Sequence, residues 1–262
     1  MTSLLAALSF LTVLPATWNR RPTWREISDS RAYFPVVGLL VGLLMLGLER
    51  GGREIFPVYL TAAVLVAALV IVTRGLHLDG LMDTCDGLFG GFNRERRLEI
   101  MRDSQAGAFG MAGAACLLLL KYGALVSLLA LPDPGRQVSL LLFPMLSRWS
   151  MVLVLGAFPY VRSQGLGSPF HQGGATEPAV VAAATAVASA VILGGFGGAG
   201  MLVGVSVLAW LLGRAMARVL GGLTGDTYGA VSEVAEAAAL MTAVTLLPHG
   251  WIEPLPQLLG LM

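Results

Sequence analysis

Charge is scarce in this 262-residue chain: 13% of its residues are Asp, Glu, Lys or Arg, against about a quarter in an ordinary soluble domain. The deficit argues against a surface that is mostly solvated. Net charge is +1, so there is no basic footprint for nucleic acid. Cysteine is limited to Cys85 and Cys116. They have neither CxxC nor zinc spacing, and two free, buried thiols are expected. The N-terminus lacks a basic leader and an A-x-A site and does not read as a cleaved signal peptide. Aromatics are few too, whereas glycine is abundant, a balance that suits closely packed membrane helices.

Apolar length is what the sequence has in quantity. Crossing a bilayer takes roughly 20 residues, fewer with flanking anchors. Runs of this kind cover about 34–48, 55–73, 109–131, 138–158, 178–197, 199–216 and 234–248. A shorter stretch, 4–15, is interfacial, re-entrant or a partial span. The expected architecture is an all-α, polytopic transmembrane helical bundle of about seven spans plus short interfacial helices. It forms a single integral-membrane catalytic domain over 1–262. No solenoid or inverted-transporter repeat is visible.

The arginines are distributed unevenly between the loops. Twelve fall in alternate connections: Arg20, Arg21, Arg25 and Arg31; Arg74, Arg94, Arg96, Arg97 and Arg102; Arg162; Arg214 and Arg218. The opposite loops hold Arg50, Arg53 and Arg136. By the positive-inside rule the first set faces the cytoplasm.

Against this apolar background LHLDGLMDTCDGLFGG, 76–91, concentrates acid. Read as helix, Asp79, Asp83 and Asp86 share one face. Two carboxylates 4 Å apart repel by about 4 kcal/mol at an effective dielectric near 20. A divalent cation is the natural compensation, and an all-oxygen donor set favours Mg²⁺ or Mn²⁺ over Zn²⁺. Gly80 and Gly87 each follow an aspartate, leaving room for a substrate or another helix to approach the backbone.

Two more polar clusters follow. In RRLEIMRDSQAGAFG, 96–110, Asp103, Gly107 and Gly110 have one-face spacing. Asp103 is a candidate fourth carboxylate, and Arg96 and Arg102 are candidate phosphate ligands. In GGLTGDTYGAVSEVAE, 221–236, Asp226, Gly229 and Glu233 share a helical face. Thr224 and Thr227 offer hydroxyls, and Gly221, Gly222 and Gly225 form a loop with backbone N–H groups for a phosphate. Glu236 reads as surface and His77 as structural. Lys121 and Arg148 lie inside apolar runs, where a charge costs roughly 2.5–3.5 kcal/mol, and are expected to face the bundle interior. There they either pair with acids or bind substrate phosphate.

LHLDGLMDTCDGLF, then R-x-x-EIMRDS-x-x-G-x-x-G, then GLTGDT-x-GA-x-x-E-x-x-E, resembles the cobalamin synthase family, the adenosylcobinamide-GDP ribazoletransferases. FLTVLP at 10–15, SRAYFPVVG at 30–38, Lys121, Ser147-Arg148 and GLG at 165–167 fit in the same order. The family's acids match Asp79, Asp83, Asp86, Asp103, Asp226 and Glu233. Three positions depart from its pattern: Val13 and Gln105 where arginine is common, and Arg74 where glycine is usual.

The resemblance implies an enzyme of the bacterial inner membrane with its active site toward the cytoplasm. Its substrates would be adenosylcobinamide-GDP and α-ribazole or its 5′-phosphate, and its cofactor Mg²⁺. A ribose hydroxyl attacks the phosphorus nearest the cobinamide and GMP leaves. Asp79, Asp83, Asp86 and Asp103 would be catalytic and metal-binding, with Asp103 the choice if one acts as general base. Arg96, Arg102, Lys121, Arg148, Thr224, Gly225, Asp226, Thr227 and Glu233 would bind substrate. The lipid bilayer is a partner, and a homo-oligomer or docking by other proteins of the pathway is left open. Two alternative readings of the acids are a CDP-alcohol phosphotransferase-like phospholipid enzyme and a cation transporter. The first requires D-G-x-x-A-R and a later acid pair, which this chain lacks; the second predicts mid-bilayer acids on paired broken helices, whereas these acids lie at span ends in a block with arginines.

Overall fold

The computed structural model describes residues 2–15, 22–162, 165, 167–172 and 176–253. Arg20 and Arg21 of the first basic loop, and Leu166 of the GLG motif, lie outside them. Among the described residues the chain is helical, with no strand and one isolated β-bridge.

The helices, in order, are α1 (Thr2–Leu11), α2 (Trp24–Ser30), α3 (Phe34–Ile55), α4 (Val58–Val72), α5 (Leu76–Gly90), α6 (Arg94–Ile100), α7 (Ala108–Leu129), α8 (Gly135–Ala157), α9 (Pro169–Gln172), α10 (Glu177–Leu220) and α11 (Gly225–Leu246). Helix α8 runs through the centre, with α3, α10 and α11 packed around it. The α3 contact is backbone to backbone, because a Cβ on Gly38 would fall 2.5 Å from Met145 Cα. Small residues let membrane helices gain dispersion contact where lipid supplies no hydrophobic drive. Apolar side chains also point outward in numbers, among them Leu44, Leu119, Val187 and Val203, as expected of a bundle surrounded by lipid. Cys116 is exposed rather than buried. It lies on the outward stripe of α7 with Leu119 and Leu120.

Helix α10 has 44 residues and would be about 66 Å long if straight, twice a bilayer's apolar core. It is not straight. Gly195 has φ 56 and ψ −139, a conformation that favours glycine. Beyond it Gly198 meets the Ala190 carbonyl, and Met201 and Val205 pack in the same core as Ala186 and Ala190. Residues 190 and 198 would stand about 12 Å apart along one helix. The two expected spans 178–197 and 199–216 are therefore the arms of a hairpin. Helices α3, α7, α8, α10 and α11 are long and apolar enough to cross a membrane, and α4 qualifies only together with α5. Helix α1, about 15 Å long, is too short to cross.

The connections segregate to two ends. At one, Arg31 Nη1 donates to the Phe170 carbonyl (3.2 Å), Arg162 Nη2 to that of Met101 (3.1 Å) and Arg94 Nε to that of Leu220 (2.8 Å). These bonds join all four arginine-bearing loops. At the other, Arg136 Nε lies 3.2 Å from Glu49 Oε1, and Gly197 N–H donates to the Trp251 carbonyl (2.7 Å).

Candidate active site

At the arginine-rich end α4 stops at Val72, and α5 sets off at 86° to it. Arg74 (φ 55) and Gly75 (φ 67) make the corner. Helix α5 then packs on the first turns of α11. A Cβ on Gly80 would lie 3.0 Å from Asp226 Cα, and one on Gly229 would lie 3.0 Å from the His77 carbonyl oxygen. This crossing brings Asp226 of α11 beside Asp79 and Asp83 of α5. Asp79 is exposed and Asp83 half-buried. Burial, then the charges of Asp226 and Asp79, push the Asp83 carboxyl up to about 7.

The remaining acids are disposed differently. Asp86 is buried, and its two carboxylate oxygens accept the N–H groups of Gly107 and Gly110, both at 2.8 Å. It holds the N-terminus of α7, where a negative charge complements the helix dipole. Asp103 is exposed on a loop and accepts from the Gln105 N–H (3.1 Å). It is not among the charges that raise Asp83.

The start of α11 is set by a reciprocal cap. Thr224 Oγ1 accepts from Thr227 N–H (3.3 Å), and Thr227 Oγ1 from Thr224 N–H (2.9 Å). Both threonines are fully buried, so their hydroxyls serve the helix rather than a phosphate. A two-way backbone link, Val161 N–H to the Leu223 carbonyl and Leu223 N–H to that of Pro159, clamps the loop after α8 to this turn. It brings Arg162 Nη2 within 2.7 Å of Asp226 Oδ2. Among the expected phosphate ligands, Arg96 pairs with Glu99 (2.7 Å), and Arg102 is exposed.

Lys121, Arg148, Glu233 and Glu236 form one buried cluster. Lys121 Nζ lies 2.6 Å from Glu233 Oε2 and 2.5 Å from Glu236 Oε2, and Arg148 Nη1 lies 2.6 Å from Glu236 Oε1. Two cations balance two anions. Glu236, expected at the surface, is 3% exposed, because both cations need it. Each of these four charges thus has a protein partner inside the bundle.

Between α5, α8, α11 and the 160–170 segment lies a cavity of about 270 Å³. Phe10, Phe34 and Phe170 form one wall, with ring centroids 5.5–6.0 Å apart. Tyr160 and Tyr228, stacked at 6.2 Å, form another. His77 lines it at 2% exposure, with no hydrogen-bond partner for Nε2. Asp79, Arg162 and Asp226 complete the lining, and Asp79 also borders an open groove of about 660 Å³ with Arg74 and Met82. Sequence reasoning did not find Arg162, Tyr160, Tyr228 or the phenylalanines. They come from separate segments, and the lone Arg162 carried only a topological signal.

The family described as cobalamin-5-phosphate synthase matches residues 3–244. Among the relatives is the adenosylcobinamide-GDP ribazoletransferase of Desulfitobacterium hafniense (strain Y51), 40% identical over 94% of this chain and 98% of its own. Enzymes of the same name from Roseiflexus sp. (strain RS-1), 40% identical over 92% and 89%, and Pseudomonas savastanoi pv. phaseolicola, 39% identical over 92% and 98%, are similar to it. No solved structure matches. A match over nearly the whole chain, including all the acids gathered at the arginine-rich end, places this protein in the cobalamin-5-phosphate synthase family.

Proposed function

We propose that the chain transfers the cobinamide-phosphate moiety of adenosylcobinamide-GDP to α-ribazole or its 5′-phosphate and releases GMP. The observation that carries this reading is the convergence of Asp79 and Asp83 with Asp226, from two separate segments, at the mouth of a cavity. Phosphoryl transfer needs charge neutralisation and in-line placement more than covalent help. A ribose hydroxyl oxygen bonds to the phosphorus nearest the cobinamide. The bond from that phosphorus to the bridging oxygen breaks, and GMP leaves with that oxygen. We assign the hydroxyl proton to a carboxylate at the cavity mouth rather than to Asp103, which is exposed on the loop before α7 and lines neither the cavity nor the groove.

Among the described residues no three acidic, histidine or cysteine side chains stand close enough to hold an ion as they are placed. The donor chemistry nonetheless fits magnesium: oxygen ligands only, with Asp83 raised first by burial and then by the charges of Asp226 and Asp79. Asp79, Asp83 and Asp226 would hold it, while Asp86 keeps α7 in place behind them. When bound, it would offset charge on the diphosphate and on departing GMP. Arg162 orients Asp226 and presents a guanidinium toward the same mouth. The twelve-to-three arginine distribution supports our reading that this end faces the cytoplasm and that the bundle sits in the bacterial inner membrane.

Purified protein given adenosylcobinamide-GDP and α-ribazole is expected to release GMP in magnesium and to stop in chelator. Absence of GMP release under both conditions would refute the reading.

A further inference from the structure

The cavity and the open groove meet at Asp79 but differ in kind. The groove, at about 660 Å³, is open and bordered by Arg74 and Met82. The cavity, at about 270 Å³, is walled by aromatic rings and has one deeply buried polar side chain without a partner, His77. Ligand sites usually occupy about 300–1,000 Å³, so a space just below that range suits a nucleoside and excludes a corrin macrocycle. Guanine would bring several donors and acceptors into the cavity, and each left unpaired would cost about 1–3 kcal/mol. A benzimidazole carried on ribose brings one free ring nitrogen, an acceptor, and an otherwise apolar face.

We propose that this cavity seats the acceptor nucleoside, with its base against the phenylalanine and tyrosine walls and its free ring nitrogen accepting a hydrogen bond from His77 Nε2–H. The proposal rests on the reaction assigned above and deepens it. The ribose then lies toward Asp79, Asp226 and Arg162, where the cavity meets the groove, and its hydroxyl faces the diphosphate of a donor lying in that groove. His77 is a specificity-determining contact. Its tautomer is fixed as Nε2–H by the base it recognises, and Gly229 holds its backbone in place from the other side.

The test uses the full chain in proteoliposomes, with KM measured for each substrate separately. His77→Gln and Tyr160→Ala, both in the cavity lining, are each expected to raise KM for α-ribazole about tenfold or more. KM for adenosylcobinamide-GDP should stay within about twofold. An indole riboside, which lacks the acceptor nitrogen, tests the contact itself. The unsubstituted protein should prefer α-ribazole over it by about tenfold or more, and His77→Phe should erase that preference. A KM rise confined to adenosylcobinamide-GDP would place the donor in the cavity and overturn the proposal. So would unchanged constants in both variants, or an indole preference that His77→Phe leaves intact. If a His77 variant fails to fold, Tyr160→Ala decides alone. If the unsubstituted protein releases no GMP, the proposed function fails first. Equilibrium binding of radiolabelled α-ribazole, lost in Tyr160→Ala, would still uphold the cavity assignment, and undiminished binding would overturn it.

Discussion

Arg162 Nη2 lies 2.7 Å from Asp226 Oδ2 while also donating to the Met101 carbonyl at 3.1 Å. One guanidinium thus ties the loop after α8 to both the α6–α7 connection and the first turn of α11. Charge-assisted hydrogen bonds of this kind are worth about 1.5–3 kcal/mol each. Arg162→Ala should lower kcat/KM by roughly 10- to 100-fold. Arg162→Lys should recover only part of the loss, since an ammonium cannot present the same planar fork. Steady-state GMP release measures both.

Asp83 gives a pH-dependent prediction. Its carboxyl ionises at about 7 when folded, against 3.8 ordinarily. Between these values the folded protein holds more protons than the unfolded chain, so stability falls as pH rises through that window. In chelator at pH 8, Asp83→Asn should melt above the parent. The gap should narrow as pH falls toward 4. Magnesium should raise the parent's melting temperature at pH 8 and leave the Asn variant nearly unmoved. Thermal melts in detergent report all three effects.

The four buried charges beneath the site should behave as a unit. Lys121→Met leaves Glu233 buried without its cation and should cost about 3–5 kcal/mol. Adding Glu233→Gln should restore most of that, because Arg148 and Glu236 remain balanced. Denaturation midpoints of the single and double variants check this.

Arg74 stands in the left-handed region at φ 55, and its Nη2 donates to the Ser9 carbonyl (3.1 Å). The α4–α5 corner therefore stores strain on the order of 1–2 kcal/mol. Arg74→Gly should leave stability within about 1 kcal/mol of the parent, trading relieved strain for a lost hydrogen bond and a freer unfolded chain. Gly75→Ala at φ 67 should destabilise by about 1 kcal/mol or more. Melting temperatures of the two variants make the comparison.

Most of the apolar runs were legible because they are long and uninterrupted, and the shared face of Asp79 and Asp83 because α5 is a regular helix. Helical spacing misled where the chain is not helical. Asp103, Gly107 and Gly110 look like one face, but the backbone is irregular between 102 and 107, and the two glycines serve Asp86 instead. Glu49, Arg50 and Arg53 marked a loop in the sequence, yet they lie within α3, where Arg53 and Arg136 both reach Glu49. The first turns of α11 read as polar for the same reason: their charges are satisfied across the bundle, which no local pattern records. The aromatic walls come from α1, α3, the 160–170 segment and α11, and only the tertiary fold brings them together.

The reversal at Gly195 bears on biogenesis. Ala186 and Ala190 share a core with Met201 and Val205 of the returning arm, and Ala182 shares one with Ala209 and Met216. The pair would leave the translocation machinery together, as a preassembled hairpin. A reporter fused directly after Gly195 would then record a chain still waiting for its second half.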